Sequence, residues 1–177
     1  MTARDWIEKL SLVPHPEGGW YRETYRAEEI IQRQKKEKTQ GGEPPAEKEN
    51  IFRSAATAIY FLLEGKQISK LHRIASDEIW HFYDGGPLVI AMISPEGRAA
   101  EICLGRNPEK GEMPQAVVPA GVWFGAFLAQ PDSFALVGCT VAPGFEFRDL
   151  EFADPAVLPR QFSEHRALID RLTKKPV

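Results

Sequence analysis

Between Arg53 and Glu151 the chain consists of short β-prone segments separated by turn sequences, and this alternation constrains the fold more than any other feature. The segments include SAATAIYFLL, DEIWHFYD, PLVIAMIS and SFALVGCTV. The breaks between them, such as LEGK, DGGP, SPEGR and VAPG, contain glycine, proline and aspartate, which favour tight turns. Many short strands at this spacing predict an all-β sandwich or barrel.

Short helices are predicted at both ends of this β region. In TARDWIEKLSL, Thr2 is placed to cap a helix, with Asp5 three residues later completing a capping box. Near the other end, SEHRALIDRLTKK predicts an amphipathic helix with Ser163 as its cap and with Leu168 and Leu172 facing the core.

The length of 177 residues predicts a single domain over residues 1–177. Residues 27–50 differ from the rest, because 11 of these 24 residues are charged and GGEPP interrupts them. We expect this segment to be a polar, mobile insertion within the domain.

Composition excludes several classes of partner. The 22 basic and 25 acidic residues give a net charge of −3, so no basic face for nucleic acid is expected. The longest nearly apolar run, residues 116–129, is too short and too interrupted to span a membrane. The first residues lack the apolar core of a secretory signal, and Cys103 and Cys139 lie in β-prone segments, where reduced, buried thiols are expected. A cytoplasmic location is therefore predicted.

The segment DEIWHFYDG contains the first candidate site. In a strand, alternation places Glu78, Trp80 and Phe82 on one face and His81 on the other. A carboxylate among aromatic rings is costly to bury unless it has a partner, and this pattern is typical of a ring-lined pocket with one polar group. The alternative is that Glu78 lies at the rim and pairs with Arg73, which is itself a candidate ligand contact.

This region resembles the first motif of the cupin superfamily, G-x5-H-x-H-x3,4-E-x6-G. Glu78 and Gly85 fit its second half without adjustment. A three-residue spacer places the two histidine positions at His72 and Ile74, with Gly65 one residue further away than the motif expects. The four-residue spacer restores the glycine spacing but puts no histidine in either position, so we prefer the first alignment.

The second cupin motif, P-x-G-x2-H-x3-N, matches at Pro119 and Gly121, whereas Phe124 replaces its histidine and Leu128 its asparagine. The resemblance implies a metal centre of three histidines and one glutamate.

Of those four ligands, only His72 and Glu78 remain. Two protein ligands are a thin site for zinc, iron or manganese, so no metal cofactor is expected. Additional ligands from His15 or Glu17 would restore one, and a metal site that includes His72 and Glu78 stays open as an alternative.

A narrower resemblance is carried by LVPHPEGGWYRETYR, RSAATAIYFLL, KLHRIASDEIWHFYDGGPL, VVPAGVWFGA and LVGCTVAPGFEFRDLEFAD. In this order they resemble the cupin-5 family, a domain of unknown function, from about Leu12 to Asp154. The resemblance implies a cupin jelly-roll β-sandwich that is usually a homodimer. Germin-like proteins and metal-free epimerases of nucleotide-linked sugars share related folds.

A metal-free isomerase of this kind abstracts a proton next to a carbonyl with a histidine, and a tyrosine returns one. His72 is the candidate base, with either Glu78 or Asp77 holding its tautomer. Tyr60 is the leading candidate acid, and Tyr21 and Tyr25 are alternatives.

Further ligand contacts are expected from an aromatic wall and from the segment HPEGGWYRE. The rings of the wall are Trp80, Phe82, Trp123 and Phe124. In HPEGGWYRE, adjacent glycines allow a close backbone approach, so the segment either places Glu17 or Arg22 over the barrel mouth or is only a turn before an edge strand.

The sequence thus predicts a homodimeric cupin-5 jelly roll that binds a small polar molecule. The leading hypothesis is a metal-independent isomerase or epimerase of a sugar-like or keto substrate, with His72 as base. The alternatives are a metal-dependent cupin enzyme and a non-enzymatic binding or storage protein.

Overall fold

A computed structural model describes residues 1–33 and 51–173, and in this part of the chain two antiparallel β-sheets form a sandwich. In spatial order, the first sheet contains β1 (Val13–Pro14), β2 (Trp20–Arg26), β5 (Thr57–Glu64), β12 (Phe134–Ala142), β7 (Asp77–Gly85) and β10 (Gln115–Val118). The second contains β13 (Glu151–Phe152), β6 (Ile68–Arg73), β11 (Trp123–Leu128), β8 (Leu88–Ile93) and β9 (Ala99–Leu104). The predicted all-β sandwich is confirmed.

Helices flank the sandwich at both ends of the described chain. They are α1 (Ala3–Leu10), α2 (Leu158–Gln161) and α3 (Arg166–Thr173), with 3₁₀ turns at Pro108–Lys110, Phe147–Asp149 and Ser163–His165. No helix within residues 1–33 and 51–173 is long and apolar enough to cross a membrane.

The capping box predicted for the first helix is present. The Thr2 hydroxyl accepts a hydrogen bond from the Asp5 backbone N–H at 3.2 Å, and the Asp5 carboxylate accepts one from the Thr2 N–H at 2.8 Å. At the other end the prediction needs a correction. Ser163 lies in a 3₁₀ turn instead of capping a helix, because α2 leads through this turn into α3 at Arg166.

The polar segment 27–50 also departs from its prediction in part. Its residues Ile30–Arg33 form strand β3, which pairs with β4 (Ile51–Ser54) as a separate two-stranded sheet. Residues 34–50, where a mobile insertion was predicted, lie outside the described residues.

Side-chain alternation in β5 shows how the layers are built. Ile59, Phe61 and Leu63 point between the two sheets and join the main core. Tyr60 and Leu62 point to the outer face of the first sheet, where α1 packs. A third apolar layer holds α2 and α3 against the outer face of the second sheet, with Ile169 and Leu172 fully buried.

Candidate functional site

A cavity with a volume of about 130 Å³ opens between the two sheets. Its deep part is polar, and we call the residues there the inner cluster: His15, Glu17, His72 and Glu78. All four belong to its lining, and their side chains are almost completely shielded from solvent. The outer edge, which we call the rim, consists of Glu23, Arg26, Glu146 and Phe147, which are markedly more exposed.

The inner cluster is assembled from both sheets and one loop. His72 comes from β6 in the second sheet, and Glu78 comes from β7 in the first. His15 and Glu17 lie in the loop between β1 and β2, in the HPEGG sequence. This loop is held against β6, because the Lys70 N–H donates to the Glu17 carbonyl at 2.9 Å and the Lys70 ammonium donates to the Pro16 carbonyl at 3.2 Å.

The glycine pair allows this loop to approach the strands closely. Gly18 and Gly19 have φ values of 115° and 69°, a region that side chains with a Cβ rarely adopt. A Cβ at Gly19 would lie 2.5 Å from the Leu62 carbonyl oxygen and 2.5 Å from a Leu63 methyl carbon. The segment is therefore a turn before strand β2, and this turn also inserts Glu17 into the cavity.

Glu17 and His72 form the central contact of the inner cluster. The Glu17 Oε2 and His72 Nε2 atoms are 3.1 Å apart. The other ring nitrogen, Nδ1, lies 2.7 Å from the Lys70 carbonyl oxygen, which can only accept. The hydrogen-bond partners therefore assign the proton of neutral His72 to Nδ1, and leave Nε2 to accept a proton from Glu17.

Burial determines the charge state of this pair. Burial raises the pKa of the Glu17 carboxyl to about 8, against smaller lowering effects of the Ser69 hydroxyl and the Lys70 ammonium. Burial lowers the pKa of His72, against smaller raising effects of Glu78 and the Lys70 carbonyl. Near neutral pH both groups are therefore uncharged and share one proton across the 3.1 Å contact.

His15 lies beside this pair as a neutral imidazole. Its Nδ1 accepts a hydrogen bond from the Glu17 backbone N–H at 3.3 Å, which assigns the proton of the neutral ring to Nε2. Burial, followed by the proximity of His72, lowers the pKa of His15 to about 4. The ring packs edge-on against Tyr21, with centroids 4.4 Å apart.

Glu78 is the second buried acid of the cluster. Burial and then Glu17 raise its pKa to about 7, and His72, the Cys139 thiol and the Trp80 indole lower it in part. No lysine or arginine among the described residues forms an ion pair with it. The Trp80 indole N–H is itself buried and has no hydrogen-bond acceptor within the described chain.

The rim carries a network centred on Arg26. Its guanidinium donates to Glu23 at 2.8 and 3.0 Å, to Glu146 at 3.0 Å and to the Phe145 carbonyl at 3.2 Å. The adjoining turn is anchored by Arg53, which donates twice to Asp149 at 2.7 Å. These contacts hold Phe145 and Phe147 at the cavity wall.

The donor set does not fit the metal centre that cupins are expected to hold. Within residues 1–33 and 51–173, no three histidine, cysteine or acidic side chains are arranged to hold one ion. The Nδ1 atom of His72 bonds to the Lys70 carbonyl and its Nε2 atom faces Glu17. Phe124, in place of the motif histidine, packs against the His72 ring with centroids 4.1 Å apart.

Three of the predicted site residues meet in the cavity: Glu17, His72 and Glu78. The expected pairing is corrected, because the carboxyl within hydrogen-bond distance of His72 Nε2 is that of Glu17, whereas Glu78 acts on His72 through its charge. Ile74, at the second histidine position of the motif, lines the cavity as an apolar residue.

The aromatic wall is also corrected. Trp80 and Phe124 face the space between the sheets but are buried behind the cavity in the main core, with Phe82 packed against that core. Trp123 faces the opposite way, beneath α2 and α3, and Arg73 stacks on it at 4.4 Å.

Arg73, Arg22 and Tyr60 lie away from the cavity, so their predicted placement is corrected as well. Arg73 bonds to Glu151 at 2.8 and 2.9 Å, which also removes it as a partner of Glu78. Arg22 pairs in register with Tyr60, and both belong to the outer face of the first sheet, opposite to Tyr21 and Phe61. Tyr21, one of the alternatives to Tyr60, lines the cavity, whereas Tyr25 is exposed.

Sequence reasoning missed the wall and rim residues Arg26, Phe145 and Phe147, and gave His15 only as a possible extra ligand. Strand alternation gives no signal for Phe145 and Phe147, because a 3₁₀ turn begins at Phe147 and Glu146 between them also lines the cavity. It gives none for Arg26 either, because an irregularity between Glu23 and Tyr25 shifts the alternation of β2.

Comparison with known proteins agrees with this architecture. A family model described as Cupin_5, cupin superfamily (DUF985), matches residues 4–153. The chain is similar to the uncharacterized protein YML079W of Saccharomyces cerevisiae, with 32% identity over 155 residues that cover 85% of this chain and 75% of the relative.

Two solved structures match along nearly the whole chain. Protein SO0799 from Shewanella oneidensis has 38% identity and a TM-score of 0.82, with 99% of each chain covered. A hypothetical protein from Leishmania major has 34% identity and a TM-score of 0.85, with 99% of this chain and 100% of the other covered. Oxalate decarboxylase of Bacillus subtilis has 14% identity and a TM-score of 0.51 over 92% of this chain and 37% of its own, a likeness of fold alone.

The glycine turn generates a stability prediction. Replacing Gly19 with alanine combines a positive φ with two close contacts, so the free energy of unfolding should fall by about 3 kcal/mol or more. Gly111 has a similar φ of 76°, but an added Cβ there would meet nothing within 4 Å, so Gly111→Ala should cost only roughly 1–2 kcal/mol. Urea denaturation measures both, and equal losses would contradict the close approach of the turn.

The buried acids generate a pH prediction. A carboxyl whose pKa is higher in the folded chain stabilises the fold fully below its unfolded pKa, and loses this contribution as the pH rises through the folded value. For Glu78 and Glu17 that loss ends near pH 7 and pH 8 respectively, while the opposite effect of His15 is confined to acidic pH.

Unfolding free energy should therefore decrease between pH 6.5 and pH 9, by on the order of a few kcal/mol. Glu17→Gln should remove most of this decrease, because an amide does not ionise. Glu101→Gln, a substitution at an exposed residue of β9, is the matched control and should keep it. A wild-type profile that is flat from pH 6.5 to pH 9 would disprove the buried, protonated state of Glu17.

Proposed function

The chain belongs to the Cupin_5 family of the cupin superfamily, and we propose that it binds a small polar molecule in its cavity and moves a proton on that molecule. The observation that carries this proposal is the 3.1 Å contact between Glu17 Oε2 and His72 Nε2 inside the cavity. The reaction class is isomerisation or epimerisation next to a carbonyl, on a sugar-like or keto substrate. No metal takes part in the proposed steps.

The pair can act as one base. Transfer of the shared proton from Glu17 to His72 leaves a carboxylate whose second oxygen, Oε1, lies 3.6 Å from His15 Nδ1, beyond hydrogen-bond distance. This oxygen takes the substrate proton, the C–H electron pair moves toward the carbonyl oxygen, and His72 stores the proton that Glu17 gave up. Proton transfer in the reverse direction, to the other carbon or the other face, completes an isomerisation without net redox change.

His72 is suited to the storage role. Its Nδ1–H donates to the Lys70 carbonyl, which fixes the ring orientation and would also support the doubly protonated form. The low-dielectric setting keeps both members of the pair neutral until substrate binds. In this proposal the role predicted for His72 changes: Glu17 takes the substrate proton, and His72 is the base that accepts the proton of Glu17.

Tyr21 is the tyrosine whose placement suits a proton donor. It lines the cavity beside His15, and Tyr60, the leading candidate from the sequence, faces the other side of the sheet. A phenol at this place can donate a hydrogen bond to the substrate carbonyl as negative charge develops on it.

The remaining elements of the proposal rest on the sequence. Pairing of two chains and a cytoplasmic location remain predictions. The outer face of the first sheet supports the pairing, because Tyr83 and Val117 are exposed there to 49% and 48%.

The first test measures deuterium incorporation from heavy water into a panel of small hydroxy-carbonyl compounds by NMR. His72→Gln should slow incorporation at least about 100-fold, since the proton store is removed. His81→Gln is the matched control, because His81 lies on the outer face next to Gln115 and Thr140, and it should leave the rate unchanged. A rate that survives His72→Gln would remove His72 from the proton transfer, and ligand retention without any exchange in the wild type would favour a non-enzymatic binding protein instead.

The second test separates the tyrosines. Tyr21→Phe should keep ligand affinity within about threefold and slow exchange by roughly tenfold or more, because only the hydroxyl is lost. Tyr60→Phe makes the same chemical change on the outer face and should have no effect on exchange. The reverse pattern would reinstate Tyr60.

A further inference from the structure

The cavity has an unusual balance of charge. Four glutamates line it, two in the inner cluster and two at the rim, and among the described residues of its lining the one arginine is Arg26. That guanidinium is already bonded to both rim glutamates and to the Phe145 carbonyl. The Lys70 ammonium, whose charge acts on Glu17, donates to the Pro16 carbonyl and does not line the cavity. The deep part therefore offers acids without a cationic partner among the described residues.

Glu78 in particular is built to carry a negative charge when a partner is supplied. The Trp80 indole N–H can only donate a hydrogen bond, Trp80 is 1% exposed, and the N–H has no acceptor among the described residues. The indole is nevertheless close enough to Glu78 to lower the pKa of its carboxyl. The Cys139 thiol is a second donor to the same carboxyl. A carboxylate is a stronger acceptor than a carboxylic acid, so both donors are better satisfied when Glu78 ionises.

The walls of the cavity suit the same kind of guest. The lining rings Tyr21, Phe145 and Phe147 present aromatic surface, and the last two pack edge-to-face with centroids 5.2 Å apart. Aromatic faces attract cations, whereas a phosphate or carboxylate would meet acids and rings without a free positive group.

We infer that the molecule bound in this cavity carries a primary ammonium group, which Glu78 holds as an ion pair in the deep part of the cavity. This inference rests on the proposed function and names its substrate class: a small, amine-bearing polar molecule, in contrast to phosphorylated or nucleotide-linked ones. Glu78 anchors the ammonium, and Glu17 with His72 remains free to move the proton. No covalent step is added.

Three probes of matched shape and different charge test the inference: cyclohexylamine, cyclohexanol and cyclohexanecarboxylate, titrated at pH 7 and followed by protein NMR shifts. The amine should bind at least about tenfold more tightly than the alcohol, since charge-assisted hydrogen bonds exceed neutral ones by this margin. The carboxylate should bind most weakly. Equal or tighter binding of the alcohol or the carboxylate, or no binding of any probe, would overturn the inference. This test needs only the wild-type protein.

Variants locate the effect. Glu78→Gln keeps the shape of the side chain and should abolish the preference for the amine, whereas the exposed substitution Glu101→Gln should preserve it. Trp80→Phe is a second variant, expected to weaken amine binding severalfold by removing the unpartnered donor. An amine preference that survives Glu78→Gln places the cation elsewhere and refutes the assignment.

The proposed proton transfer and the ammonium assignment can be tested separately. His72→Gln should abolish deuterium exchange while amine affinity stays within about threefold. If exchange requires His72 but the amine is not the preferred probe, the proton transfer stands and the ammonium assignment falls. If the amine is preferred and no exchange occurs with any compound, the ligand class stands and the enzymatic proposal falls.

Discussion

The contact between Glu17 and His72 depends on the close approach of the HPEGG loop to the strands at Gly19. A carboxyl group enters the sandwich only because the HPEGG loop lies against β6 and β5, and that approach leaves no room for a Cβ at Gly19. The loop also brings His15 into the cavity, and with it the edge-on packing of Tyr21. One tight turn thus positions half of the inner cluster and part of the wall.

Burial of these acids has an energetic consequence for the whole sandwich. An isolated charge between two sheets is costly, so burial holds Glu17 protonated near neutrality, raises the pKa of Glu78 to about 7 and keeps the imidazoles neutral. The apolar replacements at the expected ligand positions, Ile74 and Phe124, lower the local dielectric and sustain this state. Burial also opposes the ion pair that proton transfer from Glu17 to His72 would create, so a bound substrate has to stabilise that charge.

The rim separates this interior from solvent with a different kind of contact. Arg26 bridges two acids there, and the Arg53–Asp149 pair fixes the turn that carries Phe147. The ion pairs of Arg26 are partly exposed and contribute little to stability, so their role is chiefly to set the shape of the opening, whereas the Arg53–Asp149 pair is buried. Behind this edge, the deep part of the cavity holds two buried acids that have no cationic partner in the cavity lining among the described residues.

Several features were determined by the sequence alone: the β-sandwich, the first helix with its capping box, the family, and the shared inward face of Glu78 and Trp80. These follow from turn residues, local capping and strand periodicity, all of which act over a few neighbouring residues. Tertiary structure alone decided that Glu17 meets His72, that Tyr21 and not Tyr60 lines the cavity, and that Arg73 and Trp123 face away from it. The physical reason is that such pairings join residues far apart in the chain, across irregularities in β2 and β6 that shift the side-chain alternation.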